Sequence, residues 1–450
     1  MENRITQDNP MVEGVIWKQM LRFFFPILLG TFFQQLYNTA DALIVGRILG
    51  ESALAAVGGS AGIITMTVVG FFMGLTSGAS IIAAQMLGAK DRESVNQSIH
   101  TIYAFSLVSG IVLTVAGILL TEKMLVWLNT PQSLMEGSIE YLWIYFAGLT
   151  FVLIYNTGAS MLRALGDATH PFWYLIICSI ANVVLDYVLI AYTPMGIAGA
   201  AAATVISQAI SAILVTLRLC RYREVCDFRI QKIRISRSMM KRELLLGLPG
   251  GVQSAMYCIS GLITTAALNG FGETPVAAWT AYSKFDAIFW MISGAMGITI
   301  TTFVGQNFGA GQFARIRKGV RIMNWAYLVI AVISSIIFVV LRVPLYRLFV
   351  ESEEAVEIGS RMLMLITPFY ILNIYIENYS GALRGVGDTV APMIISIVGV
   401  CIFRMIYLAI LMPIYQSLDV LCIMYPVSWI LTNLMYFIYY PIRMRKLVKA

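Results

Sequence analysis

From Arg22 to the tail, long apolar runs alternate with short breaks rich in Lys, Arg, Gly or Pro. Each run holds about 20 residues, enough for a helix to cross a hydrocarbon core of about 30 Å. The predicted limits are 20–46, 53–80, 95–119, 137–161, 170–192, 196–218, 244–269, 279–303, 319–341, 358–382, 392–413 and 420–440. The pattern predicts an all-α polytopic membrane protein with about 12 transmembrane helices. Composition strengthens it: of 450 residues, 59% are hydrophobic and 12% charged, about half the charged share of a soluble domain.

The net charge of +7 does not point to nucleic acid, because the basic residues sit in short breaks between spans. With alternate breaks on alternate sides, roughly 24 of the 31 Lys and Arg fall on one side, which makes that side, and both termini, cytoplasmic. The six cysteines are scattered without a CxxC pair, so free thiols are expected rather than disulfides. The start, MENRITQDNPMVEG, lacks the short apolar core and small-residue cleavage site of a signal peptide.

Internal similarity sets the architecture. LRALGDATHP (162–171) recurs as LRGVGDTVAP (383–392), QMLGAKD (85–91) as QNFGAGQ (306–312), and LGESALAAV (49–57) as FGETPVAAW (271–279). Matched pieces in one order at nearly one spacing, the third one position further on, mean a duplication. An even number of spans per copy makes the repeats parallel, about an axis normal to the membrane. The expected plan is two pseudo-symmetric six-helix lobes: 1–218 with the cation or proton site, a cytoplasmic basic linker over 219–243, and 244–450. A ligand site then belongs near mid-membrane between the halves.

Polar residues gather at one depth of the first copy. Asp41 lies six residues before Arg47, the outer end of its span, so about 9 Å deep at 1.5 Å per residue. Asp186 lies six residues before Tyr192, again about 9 Å deep. Asn182 precedes it by four, on the same helix face. Thr204 is about 12 Å into the next span, and Asn38 is nearly one turn below Asp41. A carboxylate at membrane depth is costly and faces a cavity, a partner or an ion. These oxygens suit Na⁺, with Asp41 and Asp186 as its anionic ligands; equally, two carboxyls in a low-dielectric pocket can share a proton. At the repeat offset Asn182 becomes Phe403 and Asp186 becomes Tyr407, so the second copy does not repeat the site.

The second half carries other charges. Glu377 and Arg404 lie in consecutive spans and are expected to pair, since a lone Arg there is costly. Lys284 and Asp286, near an outer span end, are read as snorkelling to the interface. Pro26 removes a backbone bond from the span that carries Asp41 and is a candidate hinge.

Enzyme signatures are missing. There is no GxxxxGK[ST] phosphate loop or HExxH, and the two histidines, His100 and His170, are far apart. No enzymatic activity and no resident cofactor is expected.

The chain resembles the multidrug and toxic compound extrusion (MATE) family of cation-coupled antiporters. The resemblance covers essentially the whole chain and is carried by QQLYNTADALIVGR with GESALAAVG, QMLGAKD with QNFGAGQ, and the LRALGD and LRGVGD pair. It implies a bacterial inner-membrane exporter with a central cavity, in which Na⁺ or H⁺ drives expulsion of bulky, mostly cationic organic compounds. In the DinF-like branch, Asp41, Asn182, Asp186 and Thr204 match the functional positions, and Pro26 a helix-bending proline. The NorM-like pattern has a span 7 glutamate where this chain has Tyr257, and a span 10 acid about three residues before Glu377.

Alternating access follows from this reading: the ion loads the Asp41–Asp186 cluster from outside and biases span 1, while substrate and ion exclude each other energetically. Gln34, Tyr37, Asn156, Gln253, Met256, Tyr257, Asn373 and Glu377 are the expected substrate wall, where aromatic and Met surfaces suit lipophilic cations. The expected partners are small organic molecules, the coupling cation and the lipid bilayer, with the chain acting as a monomer. The alternative is a flippase for a lipid-linked precursor, which would favour a lateral groove lined by cations; here the cations lie in loops.

Overall fold

The computed structural model describes residues 9–350 and 352–449, and within them the chain is helical almost throughout. A short α1 (Pro10–Glu13) precedes α2 (Ile16–Leu49), α3 (Glu51–Gly58), α4 (Ser60–Gly88), α5 (Arg92–Trp127), α6 (Gln132–Ala147), α7 (Leu149–Ala164), α8 (Thr169–Ala191) and α9 (Gly196–Arg221). After the basic segment come α10 (Arg237–Asn269), α11 (Glu273–Gly309), α12 (Phe313–Val340), α13 (Arg342–Arg347), α14 (Glu353–Ile366) and α15 (Tyr370–Gly385). The chain finishes with α16 (Val390–Ser396), α17 (Phe403–Tyr415) and α18 (Leu418–Lys449).

Among the described residues, 10 helical stretches are long and apolar enough to cross a membrane, or 11 with α6 and α7 taken as one span bent by 52°. The bend falls at Gly148, where a Cβ would stand 2.3 Å from Val205; only a residue without a side chain fits there. The first expected span is α2, less apolar because its centre carries Gln34, Gln35, Asn38, Thr39 and Asp41. The expected span 358–382 is interrupted by a tight 3₁₀ turn at Thr367–Phe369, with Pro368 in its first turn.

Two compact units emerge, and their edges fall inside helices. One is built on Arg22–Gly251, the other on Pro10–Leu21 together with the chain from Val252 onward. The first therefore owns most of α2 and the opening turns of α10; the second owns the start of α2. In the second unit the Met11 carbonyl accepts from Asn307 Nδ2 (3.2 Å) and Arg315 Nε (3.2 Å).

The duplicated Gly-Asp motif has a physical account. Gly166 and Gly387 adopt φ of 89° and 88°, conformations that suit glycine. The following aspartates do the same two jobs. Asp167 Oδ1 accepts from the His170 amide (3.1 Å), and Asp388 Oδ1 from the Ala391 amide (3.4 Å), each capping the next helix. Their other oxygens receive an arginine from the last helix of the same repeat, Arg218 of α9 at 3.2 Å and Arg443 of α18 at 2.9 Å.

The basic segment is folded onto the first unit rather than strung as a tether. Cys226 and Phe228 are buried in the core cluster that holds Ile99, Tyr103, Leu162 and Val215. Asn96 and His100 of α5 accept from the Asp227 and Arg229 amides at 2.7 and 3.2 Å. At the surface, Arg229 beside Asp227 holds its carboxyl below the usual range. Replacing Phe228 by Ala empties a fully enclosed ring site and is expected to cost about 3 kcal/mol, read as a lowered thermal midpoint in detergent.

Candidate functional site: a buried carboxyl pair in the first unit

The small residues that open α9, GIAGAAAATV, let α8 approach closely. A Cβ on Gly199 would meet the Leu189 carbonyl at 3.2 Å, and the Cys178 thiol donates to the Ser207 carbonyl (3.2 Å). This packing buries the polar face of α8: Asn182 is 2% exposed and Asp186 0%.

The Asp41 carboxyl of α2, half-buried, lies within hydrogen-bonding reach of Asp186. One turn further along each helix is an apolar layer. Val45 follows Asp41 by four, Ile190 follows Asp186 by four, and Ala200 precedes Thr204 by four. These residues form one buried cluster with Ala53. The layer closes that end of the site to water.

Hydrogen bonding inside the site is incomplete. Among the described residues, Oδ1 of Asp41, both Asp186 oxygens and the Asn182 side-chain oxygen and nitrogen find no hydrogen-bond partner and are buried. Buried polar atoms left bare cost about 1–3 kcal/mol each, more when charged. Oxygens of two carboxyls and one carboxamide that accept no hydrogen bond from the described residues can serve as ligands for a proton or a small hard cation. The residues fit a proton or Na⁺ taken as cargo rather than as a resident metal.

The other expected residues divide. Thr204 donates to the Ala200 carbonyl (3.1 Å), so its oxygen stays beside the apolar layer. Asn38 and Gln34 are exposed and Tyr37 is half-buried. Asn156 is half-buried and donates to the Val152 carbonyl (2.9 Å). In the second unit, Gln253 donates to the Tyr257 hydroxyl (3.2 Å), Met256 is half-buried, and Asn373 is enclosed, donating to Ser293 (3.3 Å). Pro26 sits in an α2 that continues through it.

Sequence reasoning missed Tyr141, which lies within electrostatic reach of both Asp41 and Asp186 and stacks on Tyr145 at 6.1 Å. The four-residue spacing of those two tyrosines was the available signal.

Two expectations for the second unit are corrected. Glu377 does not pair with Arg404; its carboxyl stands 3.9 Å from Arg384. These two are seven residues apart, two turns along one helix, which the long Arg stem spans. Arg404 instead donates to Ser428 (3.0 Å) and lies over the Tyr425 ring at 4.1 Å, the stacked arrangement that suits guanidinium.

Asp286 does not snorkel. Its Oδ1 accepts from Tyr370 (2.6 Å) and Tyr282 (3.2 Å), and its Oδ2 from Trp290 Nε1 (2.9 Å). Tyr370 in turn stacks on Phe289 at 3.9 Å. This carboxyl is fully supplied by its own unit, in contrast to the first-unit pair. Tyr370→Phe removes its shortest donor and is expected to cost about 2 kcal/mol, seen as a lower thermal midpoint with ion coupling intact.

Fold and site together describe a polytopic helical transporter. A family model, MatE, matches residues 26–188 and again 249–410, one copy on each repeat. The chain is 27% identical over 449 residues to the "Probable multidrug resistance protein YoeA" of Bacillus subtilis, covering 97% of this chain and 96% of that protein. It is 25% identical over 395 residues to the "Probable multidrug resistance protein NorM" of Thermotoga maritima, covering 87% and 84%. Among solved structures, a MATE in the straight conformation superposes with a TM-score of 0.90 at 22% identity, covering 98% of this chain and 99% of that one.

The chain belongs to the MatE family. It is a MATE transporter, not an enzyme, and cation-coupled efflux of drug-like compounds is the class of work this membership assigns.

Proposed function

We propose that this chain exports bulky, lipophilic, mostly cationic organic compounds from the cell in exchange for Na⁺ or H⁺ entering at Asp41 and Asp186. The observation that carries the assignment is the set of bare, enclosed oxygens on Asp41, Asp186 and Asn182. A site with anionic oxygens and no protein donor gains most from a bound cation or proton, and loading it changes the charge buried beside α2. The state of α2 favoured by the loaded site differs from that favoured by the empty one, and that differential affinity drives the cycle. The matching Asp41, Asn182, Asp186 and Thr204 support the DinF-like branch.

Gln34, Tyr37, Asn156, Gln253, Met256, Tyr257, Asn373 and Glu377 are the proposed substrate contacts. Pro26 is the proposed hinge. We place the protein in the bacterial inner membrane as a monomer, with both termini cytoplasmic because the basic breaks lie on that side.

The test is dye uptake into inverted vesicles, the export direction of the cell, under separately imposed Na⁺ and pH gradients. Saturable dye movement driven by one of the two supports antiport. Fast conductance without dependence on either gradient, or movement of lipid-linked precursors in place of dyes, would overturn it.

A further inference from the structure

Another buried carboxyl in the first unit plays no part in the scheme above. Glu243, on the second turn of α10, is 1% exposed, and its place follows from glycines. A Cβ on Gly78 of α4 would meet the Glu243 carbonyl at 2.1 Å and Gly247 N at 2.4 Å. One on Gly247 would meet the Leu75 carbonyl at 1.8 Å, and one on Gly74 would meet Gly251 N at 2.4 Å. The backbones of α4 and α10 therefore touch along these turns, leaving no room for water.

The Glu243 side chain reaches α5, where Ser98 donates to its Oε1 (2.7 Å); its Oε2 is buried without a partner.

Among the described residues no cation forms an ion pair with it. The α4 helix has no Asp, Glu, Lys, Arg or His. On the near end of α5, Arg92 donates to the Arg223 carbonyl, His100 is engaged with Asn96 and Arg229, and Glu93 is acidic itself. On α10, Arg237, Lys241 and Arg242 are exposed, and of these the field of Arg242 acts on Glu243. A carboxylate here would be an enclosed charge with one neutral donor and a bare oxygen. A carboxylic acid fits.

We infer that Glu243 is a second proton-binding site, and that the proton it holds keeps the opening turns of α10 closed on α4 and α5. Losing the proton leaves a charge that needs water, and the glycine contacts exclude water, so the crossing opens. The inference stands apart from the Asp41–Asp186 reading.

The test is amide hydrogen exchange of the full-length protein in nanodiscs, corrected for intrinsic rates, from mildly acid to mildly alkaline pH. Segments 71–79 and 243–251 are expected to lose about tenfold protection with rising pH, one pKa unit's worth of linkage. Glu243→Gln, a permanent stand-in for the acid, should keep them protected throughout. Ser98→Ala removes a donor that favours the ionised form, so the step should move to higher pH; this variant carries the test if Glu243→Gln does not fold. The Asp41→Asn, Asp186→Asn double variant should retain the step.

Protection independent of pH in the unaltered protein, a step surviving in Glu243→Gln, an unmoved step in Ser98→Ala, or a step lost in the double variant would each overturn the inference.

Discussion

Replacing Asp186 by Asn is expected to abolish ion-driven export while leaving the protein at normal level in the membrane. The substitution keeps the shape of the side chain and removes its charge. Among the described residues nothing donates to either Asp186 oxygen, so no hydrogen bond between them is broken, and stability should change little or rise. Coupling energies between sites run to about 3 kcal/mol, so gradient-driven dye efflux should fall about 100-fold. Exchange of labelled for unlabelled dye without a gradient should persist. Asp41→Asn should give a similar loss, and the double variant little more, because groups acting as one unit are not additive. If each single change retained half the efflux and only the pair abolished it, the two carboxyls would be working separately and the shared site would be wrong.

Gly247→Ala is expected to have the largest effect on the fold for the smallest change in atoms. The new methyl group would start 1.8 Å from the Leu75 carbonyl oxygen and 2.7 Å from its carbon, against a comfortable separation of about 3.5–4 Å. Both neighbours are backbone, so the strain can be relieved only by moving a helix. Overpacking costs about 3 kcal/mol at the upper end of its common range. The matched control is Gly261→Ala in the same helix, where nothing lies within 4 Å and the better helix propensity of Ala is worth about 1 kcal/mol in the opposite direction. Thermal unfolding in detergent should separate the two variants in sign. Equal midpoints would mean that the two helices are not in backbone contact.

The spans and the placement of the first-unit carboxyls were legible because both depend on local pattern. Apolar length locates a crossing helix whatever it packs against. The four-residue spacing of Asn182 and Asp186 puts them on one face without tertiary knowledge. Their meeting with Asp41 was legible only as a shared depth; the Val45–Ile190–Ala200 layer that seals them needs the packing of three helices.

The second unit was read less well for the same reason. Asp286 near a span end looks like a snorkelling acid until Tyr370, 84 residues away, is brought to it. Arg404 looks unpaired until Ser428 and Tyr425 arrive from α18. In the basic segment, charge masked Cys226 and Phe228, two apolar residues too few to register as a pattern. Hydropathy reads the inner turns of α10 as the start of a second-half span, because such a profile carries no record of which neighbour a glycine touches.

The boundary inside α2 and α10 bears on any attempt to dissect the molecule genetically. A cut in the basic segment looks natural, yet it would leave Pro10–Leu21 on a fragment whose own unit does not include it, and strand Glu243–Gly251 on the opposite piece. Neither product would contain a complete unit. Co-expressed fragments should rescue one another, while chimaeras that exchange one half with a distant homologue should fail unless these two short segments travel with the unit they complete.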